Sequence, residues 1–323
     1  MSVPTKARSA GPRRTRPALL AAVTVLTAAA ATACSSSAHG ASGTGSSGAT
    51  IQAVGAENEY SDVISQIGGQ YVTATGIMSN PNTDPHTFEA DPKVAHTVSS
   101  ARLIVQNGVG YDDFMAKIEQ ASGSSGRQVI DVQKLLGLPD STPNPHLWYQ
   151  PATMPAVAKA IADDLSTIDP AHKDYFEANA TRFDASLQPW TEAIAQLKAA
   201  FPGAAVATTE PVADYLLDAA GINNLTPWAF QADVMNGTDP SPQDVAAEQG
   251  LFTQHKVKAF VYNQQVTDSL TQSLLTLAKQ NGIPVIGVYE TMPTPGYTYQ
   301  SWMSAEVSAL KNALANGTSA PTL

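Results

Sequence analysis

Two of the six histidines stand in the same local setting, and that setting suits a metal ligand. His86 lies in Asp84-Pro85-His86-Thr87-Phe88, and His146 in Asn144-Pro145-His146-Leu147-Trp148. A proline restrains the backbone before each imidazole, and an aromatic ring two residues later can pack beneath it, which is how a loop holds a ligand still. The same turn also suits a histidine that caps a helix, so either residue alone carries little weight. His39 sits in a Ser/Gly/Ala-rich stretch, while His96, His172 and His255 fall in helical or polar surroundings without a second ligand at helical spacing, and are expected to face solvent. The patterns of a zinc protease, a serine hydrolase or a thiol enzyme are missing: there is no His-Glu-x-x-His, no Gly-x-Ser-x-Gly and no cysteine-histidine pair.

The charge distribution points the same way. The chain of 323 residues carries 18 Lys+Arg against 28 Asp+Glu. Five of the basic residues (Lys6, Arg8, Arg13, Arg14, Arg16) fall in the first 33, which contain no acid, so the remainder has a charge of −15. So acidic a body repels phosphate backbones and favours cations, which excludes nucleic acid as a partner. With 43% hydrophobic and 14% charged residues the chain is built to bury a core, and one cysteine, Cys34, allows neither an internal disulfide nor a cysteine-based zinc site.

The basic N-terminus leads into an apolar, alanine-rich run over 18–33 that ends in Ala31-Thr32-Ala33-Cys34. This is the layout of a secretory signal, too short and too alanine-rich for a membrane span. Cys34 falls where a bacterial lipobox places the lipidated thiol, and 35–50 reads as a flexible Ser/Gly/Ala tether. The N-terminus therefore resembles that of a lipoprotein, although Ala31 replaces the usual leucine; the alternative is plain secretion with an incidental cysteine. The expected organisation is a signal peptide over 1–33, a tether over 34–50, an N-terminal α/β lobe over 51–169, an interlobe helix over 170–201 and a C-terminal α/β lobe over 202–323.

Several elements are expected to position the two histidines. From Ile51 onward, short β-rich runs alternate with helical stretches, as in an α/β fold with parallel strands. Strands are expected near 51–54, 71–77, 103–106 and 128–132, then near 204–207, 259–262 and 284–288, with a helix over 212–220 ended by Gly221. Asp169 reads as an N-cap and Pro170 as the first residue of a helix reaching Phe201. Along it Phe176, Ala180, Phe183, Leu187, Trp190, Ile194, Leu197 and Phe201 form one apolar stripe at alternating steps of four and three. Such a helix would be about 48 Å long, and Pro189 should kink it or break one hydrogen bond. A weak internal echo, Asp84-Pro85 to Asn107 against Asp239-Pro240 to Asn263, suggests two related lobes.

These residues carry a specific resemblance. The two Pro-His segments, Asn107-Gly108-Val109-Gly110-Tyr111, Tyr175-Phe176-Glu177-Ala178-Asn179 and the ending Glu290…Tyr299…Trp302-Met303 resemble the metal-specific solute-binding lipoproteins of ABC importers, the zinc/manganese family, over 51–314. The resemblance implies two lobes, each with a small parallel sheet flanked by helices, joined by one long rigid helix, with a divalent metal held between them. It implies His86, His146, Glu210 and Glu290 as the ligands and no catalytic residue. It further implies an ABC permease as partner, a monomer anchored outside the bacterial cell membrane through lipid on Cys34 alone, and Mn2+ or Zn2+ as cargo. Glu210 and Glu290 each follow an apolar run, at the strand ends where ligands of open α/β sheets collect. Glu210 would serve equally as an acid at a helix N-terminus and Glu290 as a strand-end surface acid, and Glu57, Asp112 and Asp233 compete for the carboxylate role. A glutamate at the third ligand position, with His96 as the only histidine between His86 and His146, resembles the manganese or iron branch. A hard oxygen donor shifts preference toward manganese, yet affinity still rises toward zinc. A secreted metal-dependent hydrolase and a surface adhesin are the alternative functions; the first needs an open coordination position and a general base.

Overall fold

The computed structural model describes residues 50–323 except Thr83, Ser125 and Thr294. The expected signal segment, Cys34 and all of the tether but Thr50 lie outside the described residues. Among the described residues no helix is long and apolar enough to cross a membrane.

Two parallel four-stranded sheets form the frame. The first is built from β1 (Ile51–Glu57), α1 (Asn58–Gly68), β2 (Val72–Met78), α2 (Pro92–Ser100), β3 (Leu103–Gln106), α3 (Phe114–Ala121), β4 (Gln128–Asp131) and the short α4 (Val132–Leu135), followed by α5 (Thr153–Ile168). Its strand order is β2-β1-β3-β4. Then come α6 (Lys173–Ser186) and α7 (Gln188–Ala200). The second sheet comprises β5 (Ala205–Thr208), α8 (Asp214–Ala219), β6 (Asn223–Asn224), α9 (Trp228–Met235), α10 (Pro242–Thr253), β7 (Ala259–Asn263), α11 (Ser269–Gln280), β8 (Val285–Val288) and α12 (Tyr299–Asn316). Its order, β6-β5-β7-β8, repeats that of the first. Helices cover the sheets, so β3, β7 and β8 are buried almost end to end and read as unbroken apolar runs rather than alternating ones.

The expected helix over 170–201 is present as two. Pro170 opens a single 3-10 turn, Pro170–His172, and α6 begins at Lys173. At Leu187 the helix bends, and Pro189 falls in the first turn of α7, where its missing N–H would have had no intrahelical partner. Thr191 N still reaches Leu187 O at 3.1 Å across the bend. The apolar stripe survives it: Phe176, Phe183, Leu187, Trp190, Ile194 and Leu197 are all buried. α6 packs on α1 and α5, and α7 on α8 and α12, so the bent pair runs along both sheet units.

α1 also reaches across to the second half of the chain through side chains four residues apart. Asn58 forms a paired contact with the backbone of Met292, its Nδ2 donating to Met292 O at 2.8 Å and its Oδ1 accepting from Met292 N at 2.9 Å. Asp62 Oδ2 accepts from Tyr299 N at 2.9 Å, and Gln66 exchanges amide hydrogen bonds with Gln300 at 2.7 and 3.0 Å. These contacts hold the segment between β8 and α12 against the first unit. Near the C-terminus, Ala320 pairs with β8, its N donating to Val285 O and its O accepting from Gly287 N, which covers that sheet edge.

Candidate metal centre

Each of the four expected ligands follows a strand or sits in a loop that local chemistry holds rigid. After β2, Asp84 caps the 3-10 turn Pro85–Thr87 by accepting from His86 N at 2.8 Å, with Pro85 at the start of the turn. Phe88 packs on Phe114 at 4.8 Å between ring centroids. After α4, Asn144 does the same for the second histidine: its Oδ1 accepts from His146 N at 3.0 Å and lies 2.7 Å from Nδ1, while its Nδ2 donates to Pro211 O at 2.8 Å. Glu290 follows β8, and both its backbone N and that of Thr291 donate to Gln265 Oε1, at 2.6 and 2.8 Å.

These loops bring three of the four side chains together. His86 Nε2 and His146 Nε2 each lie 3.1 Å from the same oxygen, Glu290 Oε2. His146 and Glu290 are fully buried and the His86 side chain is 22% exposed, so the group opens to solvent through His86. Tyr111 Oη donates to the same Oε2 at 3.0 Å and its ring meets both imidazoles edge-on. The loop that delivers it, Gly108-Val109-Gly110, runs through three successive left-handed residues (φ 78°, 56° and 75°), which the two glycines make accessible.

Glu210 stands one residue away from this group. Its Oε1 accepts from Asn263 Nδ2 at 3.1 Å, and the same Nδ2 donates to Glu290 Oε1 at 2.6 Å. Glu210 Oε2 is buried with no hydrogen-bond partner among the described residues. The competing acids lie elsewhere. Asp112 closes its own loop by accepting from Asn107 N and Gly108 N, at 2.6 and 2.9 Å. Asp233 accepts from Thr238 Oγ1 at 3.3 Å. Glu57 is buried at the end of β1, outside the three-residue group. His96 and His255 are exposed as expected, whereas His172 stacks on Tyr71 at 3.7 Å and meets Asp169 at 2.6 Å.

The electrostatics separate the roles. Burial alone would raise the Glu290 carboxyl, but the imidazoles of His146 and His86 beside it reverse this and hold it below the ordinary carboxylate range. Burial lowers His146, and Glu290 only partly offsets it, so this imidazole stays neutral. His86 also feels burial, yet the hydrogen bond and charge of Glu290 win and raise it above 6.5. Burial, then repulsion from Glu290, pushes the Glu210 carboxyl well up. Burial first, and Glu290 next, raise the Tyr111 phenol, which remains a donor.

The His146 partners constrain what this arrangement can do. Because Asn144 Nδ2 is spent on Pro211 O, its Oδ1 faces His146 as an acceptor, which places the imidazole proton on Nδ1 and the lone pair on Nε2. A neutral Nε2 and a carboxylate oxygen 3.1 Å apart repel unless a proton or a cation shares them. Two ligand atoms each ~2.1 Å from one ion and 3.1 Å from each other subtend about 95°, an edge of an ordinary first-row coordination polyhedron. Asn144 then supplies the outer hydrogen bond that orients a ligating histidine.

The sequence reading missed Asn144, Asn263 and Gln265 as organisers of the site, and quoted Tyr111 without a role. Two left a trace: Asn144 as the first residue of the second Pro-His segment, and Asn263 as the counterpart of Asn107 in the internal echo.

Residues 54–313 match the family model described as zinc-uptake complex component A, periplasmic. The manganese ABC transporter substrate-binding lipoprotein PsaA of Streptococcus pneumoniae is 23% identical over 289 residues, covering 84% of this chain and 91% of PsaA. Among solved structures, the periplasmic zinc binding protein TroA of Treponema pallidum superposes with a TM-score of 0.70 at 18% identity, over 83% of this chain and 100% of TroA. The laminin-binding adhesin Lmb of Streptococcus agalactiae, solved as a mutant, gives 0.68 at 20% identity, over 82% and 99%.

Proposed function

The chain belongs to the periplasmic zinc-uptake component A family, and on that premise we propose that it captures one divalent transition-metal ion, Mn2+ or Zn2+, and delivers it to an ABC permease. The chain is a substrate-binding protein of the metal importer type and not an enzyme. His86, His146 and Glu290 are the proposed core ligands, with Glu210 as the fourth. The observation that carries this reading is the meeting of two imidazole nitrogens on one carboxylate oxygen, at a separation that suits the edges of a coordination polyhedron. Lipid on Cys34 would tether the protein outside the cell membrane as a monomer, in keeping with relatives named as lipoproteins. The negative surface raises the local cation concentration. Relatives named for manganese and for zinc both support a first-row cargo.

Equilibrium competition between Mn2+ and Zn2+ on the metal-stripped protein tests the reading. One ion should bind per chain, His86→Ala should remove it, and Glu210→His should move selectivity toward zinc by supplying a softer donor. A parent protein that binds neither ion would overturn the proposal.

Proton release gives a second check. A ligating imidazole must be neutral and a ligating carboxyl ionised. His86 is raised above 6.5, so protons begin to compete with metal there at a pH above 6.5, and affinity falls as pH drops through that range. His146, being lowered, competes only at more acid pH. Burial and the charge of Glu290 raise the Glu210 carboxyl, so a proton is harder to remove from it and must be gone before it can ligate. Calorimetry in buffers of different ionisation heat should therefore find fewer protons released on metal binding by Glu210→Gln than by the parent. An unchanged count would remove Glu210 from the ligand set.

A further inference from the structure

The two sheets have the same strand order, β2-β1-β3-β4 and β6-β5-β7-β8, so β1 corresponds to β5 and β3 to β7. Register carries this correspondence to single residues. In the first sheet Gly55 pairs with Val105, and two positions onward lie Glu57 and Asn107. In the second Thr208 pairs with Val261, and two positions onward lie Glu210 and Asn263. Each sheet thus carries a buried glutamate at or just past the end of its β1-type strand and a buried asparagine at or just past the end of its β3-type strand.

Both asparagines organise groups of the proposed site. Asn107 Nδ2 donates to Pro145 O at 2.8 Å, the carbonyl just before His146, and its Oδ1 accepts from Tyr60 Oη at 2.7 Å. Asn263 Oδ1 accepts from Gln265 N at 3.0 Å, which settles the orientation of its amide, and Nδ2 then serves both carboxylates. An amide nitrogen has two hydrogens to give, and here one goes to Glu210 Oε1 and the other to Glu290 Oε1. The consequence is a choice of oxygen on each carboxylate. On Glu290, Oε1 is occupied and Oε2 is turned to His86, His146 and Tyr111. On Glu210, Oε1 is occupied and Oε2 is the buried, unpartnered atom.

We propose that Asn263 is the positioning residue that joins Glu210 to the His86, His146 and Glu290 group, and so decides whether a bound ion meets three protein ligands or four. It acts from the place in the second sheet where Asn107, in the first, fixes the His146 loop. The proposal rests on the metal-binding reading above and deepens it: donor number and oxygen content are what separate an Mn2+ site from a Zn2+ site when affinity alone would favour zinc.

The test uses the full chain, stripped of metal, with Asn263→Ala and with Asn263→Asp, which keeps the shape and the acceptor for Gln265 N but removes the donor. Folding is followed by circular dichroism, and should Ala fail to fold, Asp carries the test. Binding of Mn2+ and Zn2+ is measured alongside the visible absorption of bound Co2+, which responds to coordination number. Loss of an outer hydrogen-bonding partner should weaken Mn2+ binding by ~10–100-fold, lower the Mn2+/Zn2+ ratio and change the Co2+ spectrum. In a Glu210→Ala background the same substitution should cost less, because only the hold on Glu290 Oε1 is then lost. Variants that bind and absorb like the parent would overturn the inference, as would an equal loss with and without Glu210, since that would mark a structural role. A parent that binds neither Mn2+ nor Zn2+ would instead overturn the reading beneath it.

Discussion

Glutamine in place of Glu290 is expected to abolish metal retention and to lower the pH at which His86 takes up a proton. The side chain is fully buried, and its Oε2 alone meets His86, His146 and Tyr111. Glutamine keeps the volume but removes the charge, so the ion loses its one anionic partner within the three-residue group. The affinity should fall by more than the ~100-fold that bounds the loss of an outer partner. The effect on His86 has a definite sign. Burial lowers this imidazole, while the hydrogen bond and charge of Glu290, with a smaller contribution from the charge of Asp84, raise it; without Glu290 the larger of these opposing influences is gone and the pKa falls. Stability without metal should follow. Glu290, depressed in the folded state, contributes stability above its unfolded value near 4.5 and loses it as pH falls through the folded value. His86, raised in the folded state, contributes stability below 6.5 and loses it as pH rises through the folded value. The two contributions overlap between about 4.5 and 6.5, a window in which His146, lowered by burial, works against them. Denaturant titrations across that range should show the parent exceeding the glutamine variant by most there. A variant that holds metal within about tenfold of the parent, well inside the range for outer partners, would sink the three-ligand centre.

Much of the architecture was readable before any coordinates because burial on both faces leaves a plain mark. Leu103-Ile104-Val105 and Val285-Ile286 are runs that only a covered parallel strand requires. β6 escaped notice because it is two residues, Asn223–Asn224, paired at a sheet edge with no apolar content to betray it. The break at Leu187 was half visible. Pro189 announced a disturbance, but the apolar stripe continues in phase on both sides of the bend, so periodicity alone could not divide α6 from α7. At the site, His86 and His146 stood out because their positioning is local: Asp84 and Asn144 hold them from two residues away. Glu210 and Glu290 look like ordinary strand-end acids, and only the family resemblance selected them. Asn263 could not be found from its neighbours, since its partners lie 53 and 27 residues away in sequence. Side chains held by short-range turns are legible; groups that act across strands become so only once the sheet order is known.

Trp148→Ala should cost ~3–5 kcal/mol of folding stability, a large part of the ~5–15 kcal/mol available to a domain, and should also weaken metal binding. Trp148 is fully buried, and its indole N–H has no hydrogen-bond partner among the described residues, so its contribution is packing. That packing lies under the site. The indole meets Tyr60, Tyr111 and His146 edge-on at centroid distances of 6.4, 5.1 and 5.5 Å. Alanine would remove the wall against which His146 and Tyr111 rest, while the backbone carbonyl could still accept from Tyr299 Oη. Trp190 provides the control. It is equally buried, its indole N–H is likewise without a partner, and it sits in α7 against Tyr299 at 6.0 Å, with no contact to either histidine ring. Trp190→Ala should therefore cost a similar amount in urea denaturation yet leave the intrinsic metal affinity of the folded protein near that of the parent. Similar losses of affinity in both variants would mean that the site senses global stability. A loss confined to Trp148→Ala would mean that the aromatic floor under His146 holds the ligand in place.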